Sequence, residues 1–121
     1  SFLYLEGLAM ESTILPNGIV IAKPDYKRLD AKTRNNLIAE MGEFIKEERR
    51  IAMDLSAIEF IDSSGLGGLL SILRSLSEGG GDLRLAAPSK VVESLFRITR
   101  MNRVFEVFNT IDEAVESFLK G

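Results

Sequence analysis

Ser63 and Ser64 follow Asp62 and precede Gly65-Leu66-Gly67-Gly68, where an apolar run over residues 55–61 gives way to a leucine-rich segment. A hydroxyl in that position sits at the mouth of a predicted helix. The first helical turn carries unpaired backbone N–H groups and the positive end of the macrodipole, so an oxyanion or phosphate is stabilised there without a metal. The chemistry these residues allow is therefore acceptance of a phosphoryl group. Modification of Ser63 would add about −1.5 to −2 charge and three acceptor oxygens. The domain itself tolerates that group at a helix mouth, so its effect falls on a partner surface. Asp and Ser are also the preferred N-cap residues, and any strand-to-helix turn can carry them. A cap needs one such residue, whereas this turn offers three and follows them with glycines that let another molecule approach the backbone.

Other chemistries fit poorly. The chain has no histidine and no cysteine, which removes the Ser-His-Asp arrangement, thiolate nucleophiles, disulfides and imidazole-ligated metals. Residues 61–65 lack the first glycine of a G-x-S-x-G elbow, and no G-x-x-x-x-G-K-[ST] stretch exists for a nucleotide. Asp54, Asp62 and Asp82 resemble a magnesium cluster only superficially, because no acidic pair follows the first strand; Asp54 reads as a strand or turn residue. The expectation is a non-enzyme with no cofactor and no metal. Lys and Arg number 15 against 18 Asp and Glu, and the one basic cluster, residues 46–50, is interrupted by Glu47 and Glu48. Nucleic-acid binding is accordingly disfavoured.

The elements that must position the serines follow from periodicity. Asn17-Gly18 between two β-rich runs signals an antiparallel entry hairpin. Leu37, Ile38, Met41, Phe44 and Ile45 share one face of a helix over 31–47, with Asp30 as its N-cap. Residues 50–55 predict a central strand that continues, after a kink, to Ile61 or Asp62. Leu66, Leu69, Leu70, Leu73 and Leu76 form the stripe of the next helix, ended by Gly79-Gly80-Gly81. A strand over 82–86 leads to a third helix opened by Pro88-Ser89, with Val91, Val92, Leu95, Phe96 and Ile98 facing inward. A strand over 104–107 precedes a last helix capped by Thr110, with Ile111, Ala114, Val115, Phe118 and Leu119 at helical spacing. The order β-β-α-β-α-β-α-β-α predicts an α/β sandwich: a mixed sheet with an antiparallel entry hairpin and about four helices. Helix N-termini gather at the carboxyl edge of such a sheet, which would bring Asp30 beside the serine turn.

At 121 residues, 45% of them apolar and 27% charged, the chain has the size and composition of one soluble domain. Residues 1–9 precede Met10 and read as an expression remnant or upstream segment, with the domain over 10–121. No apolar run reaches the roughly 18 residues that span a bilayer, and no secretory signal is evident, so the expected address is cytoplasmic without membrane insertion.

The residues resemble a family, the STAS domain named for sulfate transporters and anti-sigma factor antagonists, and within it the bacterial anti-anti-sigma factors. Asp54-Leu55-Ser56 leading to Phe60-Ile61-Asp62-Ser63-Ser64-Gly65-Leu66-Gly67 is similar to the family's phosphorylation-site signature. Leu29-Asp30 with Thr33 and Leu37 resembles its second, weaker motif. Lys27-Arg28 departs from the family pattern, in which a glycine commonly stands two positions before the Leu-Asp pair. The resemblance implies that Ser63 is the phosphoacceptor of an anti-sigma factor serine kinase, that the unphosphorylated protein binds this kinase and frees a sigma factor, and that a PPM-type serine phosphatase resets it. It implies further that Asp62, Ser64, Gly65, Leu66 and Gly67 shape the docking surface, with Asp30 and Thr33 at its edge. Its alternative is a constitutive STAS scaffold subunit of a stress-sensing assembly or lipid-transport complex, in which Ser63 is only a cap.

Overall fold

A computed structural model describes residues 10–120; the expectation for residues 1–9 lies outside the described residues. Strands β1 (Met10–Ile14) and β2 (Val20–Pro24) form the antiparallel hairpin. Its turn is centred on Pro16 and Asn17 and not on the Asn-Gly pair: the Gly18 N–H donates to the Leu15 carbonyl at 2.9 Å, and Gly18 takes φ +90°, which a side chain would oppose. Strand β3 (Arg28–Leu29) then leads into α1 (Ala31–Lys46). Strands β4 (Arg50–Asp54) and β5 (Phe60–Ile61) precede α2 (Ser63–Glu78). Strand β6 (Asp82–Ala86), helix α3 (Lys90–Ile98), strand β7 (Val107–Phe108) and helix α4 (Ile111–Leu119) complete the domain.

The main sheet has the order β1-β2-β4-β6-β7, antiparallel only at the entry pair. Alternation along its strands sorts two cores. Val20, Ala22, Ile51, Met53, Leu83 and Leu85 share one apolar core with Leu37 and Met41 of α1, Leu69, Ile72 and Leu76 of α2, and Val92 and Phe96 of α3. Ile19, Ala52 and Ala86 meet Ala114 and Phe118 of α4 in a second core on the opposite face. Small residues on that face let α4 approach closely, and the guanidinium of Arg84 stacks 4.3 Å from the Phe118 ring.

Four expectations need correction. The central strand does not run on to Ile61: Asp54 accepts from the Ser56 N–H at 2.9 Å, the chain turns, and β5 pairs instead with β3 in a separate two-stranded sheet. The strand expected over 104–107 begins only at Val107. Arg100 takes a left-handed φ of 63°, a 3-10 turn follows over Met101–Arg103, and Phe105 is first drawn inward against Phe96, ring centroids 6.0 Å apart. On α3, Val91 (62% exposed) and Ile98 (77%) do not face the core. Val92 and Phe96 supply that face, and Val91, Leu95 and Ile98, spaced i, i+4, i+7, make a second apolar row on the outside. Leu119 is likewise exposed, near the end of α4.

Candidate functional site

The site is built from two copies of one local device, strand-aspartate-helix, laid side by side. Strands β3 and β5 are parallel, with Arg28 opposite Phe60 and Leu29 opposite Ile61. Leu29 and Ile61 are fully buried anchors, each removing about 1.5–3 kcal/mol worth of side chain from water. Asp30 follows the first anchor and Asp62 the second, and both take extended backbone and cap the helix that follows.

At α1, Asp30 Oδ1 accepts from the Lys32 and Thr33 backbone N–H groups, both at 3.1 Å. The Thr33 hydroxyl accepts from the Asp30 N–H at 2.9 Å and donates to the Arg28 carbonyl at 2.8 Å, closing a capping box. The Thr33 N–H bond is the main reason the Asp30 carboxyl sits below its usual range, with the Thr33 hydroxyl, the Lys32 N–H and the Arg28 guanidinium adding to it against a desolvation cost. Arg28 lies 3.9 Å from Asp30 and stacks 4.5 Å from the Phe60 ring, so the Lys27-Arg28 departure from the family pattern has a physical role in joining β3 to β5.

At α2, Asp62 alone is the cap. Its Oδ1 accepts from the Gly65 N–H at 2.9 Å, and its own N–H donates to the Leu29 carbonyl at 3.2 Å. Ser63, in the first helical position, is exposed, and its hydroxyl has no partner among the described residues. Ser64 is half-buried. Leu66 is partly buried and packs against the main core, so it serves both the interior and the rim.

The glycines differ from expectation. Buried Gly65 and Gly68 admit the protein's own chain, while Gly67 is partly exposed. A Cβ on buried Gly65 would stand 2.2 Å from the Leu29 carbonyl oxygen, so β3 and the first turn of α2 are in contact only because that position lacks a side chain. A Cβ on Gly68 would lie 2.9 Å from Cγ of Arg34, and one on Gly67 3.8 Å from Arg34 Nη1. Asp30, Thr33, Asp62, Ser63, Ser64, Gly65 and Gly67 are thus gathered around the paired mouths of α1 and α2.

Beside this pair lies a groove that includes Val91, Leu95 and Ile98, which helical spacing places inward. Phe60, Ile61, Val91, Leu95 and Ile98, with Lys90 at the rim, line an open apolar depression of about 410 Å³ between β5 and α3. Ile61 of its lining immediately precedes Asp62 in the chain.

The STAS domain model matches residues 16–114, and the chain belongs to the STAS domain family. A protein of Thermotoga maritima named as a candidate anti-sigma factor antagonist is 39% identical over 71 residues, which are 59% of this chain and 63% of that protein. BtrV of Bordetella bronchiseptica, given the same designation, is 32% identical over 73 residues, 60% of this chain and 63% of its own. The matched region thus spans under two thirds of these relatives. A solved structure of an anti-sigma factor antagonist candidate from Thermotoga maritima superposes with a TM-score of 0.81 at 29% identity, covering 94% of this chain and 97% of that one. The antagonist SpoIIAA in its unphosphorylated form shares the fold at a TM-score of 0.74 and 22% identity, over 91% of this chain and 96% of its own. Among the described residues no helix is long and apolar enough to cross a membrane.

Proposed function

We propose that this domain is a phosphorylation-switched anti-sigma factor antagonist, acting as a substrate of enzymes and not as an enzyme. In the unphosphorylated state it docks on an anti-sigma factor serine kinase through the paired helix mouths and the adjoining groove, and the sigma factor is released. Phosphorylation of Ser63 ends that binding, and a PPM-type serine phosphatase restores it. The observation that carries this reading is the division of labour at α2: Asp62 satisfies the cap, which leaves the Ser63 hydroxyl exposed and unengaged. A phosphate there meets the positive end of α2 and leaves the fold intact, while the partner meets new charge and bulk. The apolar row Phe60, Val91, Leu95 and Ile98 supplies burial for the partner next to the switch. The names of the relatives support the antagonist class, and SpoIIAA, a protein of the same fold, has also been solved in a phosphorylated form.

The test begins with mass spectrometry of the protein from its native cells, on the tryptic fragment over residues 51–74, which holds Ser56, Ser63, Ser64 and Ser71. Phosphate is expected on Ser63. Ser63→Asp should keep the fold and weaken kinase binding at least tenfold, and Ser63→Ala should bind constitutively. Equal affinity of both variants, together with an unmodified peptide across growth and stress conditions, would return Ser63 to a scaffold residue.

A further inference from the structure

Arg34, on the second turn of α1, is the side chain that crosses to the serine helix. Its stem lies along Gly68: the Cβ position of that glycine is 2.9 Å from Arg34 Cγ, 3.5 Å from Cδ and 3.6 Å from Cβ. Its Nη1 ends 3.8 Å from the Cβ position of Gly67. Gly68 is what lets the stem lie flat across α2, since a side chain there would collide with it, whereas Gly67 meets the guanidinium only at ordinary van der Waals distance. Arg34 so held is half-buried as a residue, yet among the described residues its guanidinium makes neither a hydrogen bond nor an ion pair. The neighbouring acids do not claim it, since Asp30 is bound by the Lys32 and Thr33 N–H groups with Arg28 nearby, and Asp62 is bound by the Gly65 N–H. Arg28, another cation beside the site, is engaged with Asp30 and the Phe60 ring.

Gly67 stands one turn after Ser63 on the same row of α2, and side chains at that spacing are about 5–6 Å apart at Cβ. The free fork of Arg34 therefore ends beside the row that carries Ser63, one helical turn along it. We propose that Arg34 is the internal counter-ion of phosphorylated Ser63, drawing the phosphate across α2 toward α1 and tying the two helix mouths together in the modified state. This rests on the reading of Ser63 as the phosphoacceptor. Guanidinium offers paired donors that match phosphate oxygens, and its stem is already held by packing, so little further ordering is needed. The modified state then differs from a bare negative charge: the phosphate is oriented, shared with α1 and partly shielded from a phosphatase. Arg34 is a positioning residue in this scheme and takes no part in phosphoryl transfer.

The test installs phosphoserine at position 63 during translation, so that no kinase is required, and follows the phosphorus-31 shift against pH. The second phosphate pKa, ordinarily near about 6, should be lower in the wild type than in Arg34→Gln by about half a unit, allowing for the exposure of Ser63. Arg34→Lys should recover part of the difference, and about 1 M salt should remove most of it. The wild type should also release phosphate to a PPM-type phosphatase at least threefold more slowly than Arg34→Gln. Coincident titration curves and equal release rates would overturn the proposal and leave the phosphate to the helix N-terminus alone. Should Arg34→Gln fail to fold, Arg34→Lys and the salt dependence of the wild-type pKa decide the matter by the same criterion. Because the phosphate is placed without a kinase, a negative result here leaves the modification of Ser63 untouched. An unmodified native peptide removes that reading while this pair stays measurable.

Discussion

Gly65→Ala is the substitution that tests how the site is held together. In an ordinary helix interior this change stabilises by about 0.5–1 kcal/mol, because alanine restricts the unfolded chain and favours helix. At Gly65 the added methyl would stand 2.2 Å from the Leu29 carbonyl oxygen and 2.8 Å from its carbonyl carbon, with Ile61 Cγ2 at 3.0 Å. The obstacle is backbone, and it moves only if β3 slides away from β5 and α2. That movement stretches the bond from the Asp62 N–H to Leu29 and loosens the contact of two buried anchors. Overpacking costs about 1–3 kcal/mol and a lost hydrogen bond about 1 kcal/mol; after the helix gain of about 0.5–1 kcal/mol the net loss is about 1–3.5 kcal/mol, with a midpoint of about 2 kcal/mol. For a chain of this length that corresponds to a fall in Tm of roughly 10 °C. Gly42→Ala is the matched control, since nothing lies within 4 Å of a Cβ there and the residue is exposed on α1. Urea and thermal unfolding followed by circular dichroism should move in opposite directions for the two variants. If Gly65→Ala proves as benign as Gly42→Ala, the close approach of Leu29 to α2 does not position the site, and the reasoning fails.

Asp30 gives a pH signature. Its carboxyl is held low in the folded state, so its ionised form stabilises the protein above the ordinary carboxylate pKa, and that contribution is lost as pH falls through the folded value. Asp30→Asn keeps a capping oxygen without the charge, so the stability gap between wild type and variant should be largest near neutrality and shrink below about pH 4 in urea melts; a gap independent of pH would refute the assignment. Ile98→Glu, at a position 77% exposed, should alter stability by no more than about 0.5 kcal/mol. It should nonetheless weaken binding of the anti-sigma factor kinase at least tenfold by calorimetry, and unchanged affinity would remove the groove from the docking surface.

The long elements were legible because their apolar stripes repeat over many residues. Leu37 and Met41, and Leu69, Ile72 and Leu76, are buried as their spacing requires. Strands β3 and β5 were not, since two residues carry no periodicity and Arg28-Leu29 pairs with Phe60-Ile61 across the intervening α1 and β4. Apolar character also did not distinguish an inward face from an outward one on α3, where Val91, Leu95 and Ile98 resemble core residues in type and line an open groove in fact. The glycines after Ser64 announced a close approach without saying by what. Leu29 and Arg34 are distant in sequence, and only their placement in space shows that Gly65 and Gly68 answer to this chain. The capping box was visible in part: Asp30 was evident, whereas the role of Thr33 needed the geometry of its hydroxyl between the Asp30 N–H and the Arg28 carbonyl.

The two readings of Asp62-Ser63-Ser64 cease to compete once the hydrogen bonds are assigned. A cap is an acceptor requirement, and one carboxylate oxygen on the Gly65 N–H meets it. A modifiable hydroxyl has the opposite requirement, exposure without engagement, and Ser63 has it because Asp62 comes first in the chain and takes the bond. The same order of residues leaves the neighbouring mouth without an exposed, unengaged hydroxyl at its first helical position. At α1 the residue after the capping aspartate is Ala31, and the one nearby hydroxyl, Thr33, is spent inside its own capping box. Two similar strand-cap-helix units therefore differ in the extent of their caps and in the presence of a free hydroxyl at the first helical position. A charge added there alters a surface whose framework β3, β5 and both caps hold fixed.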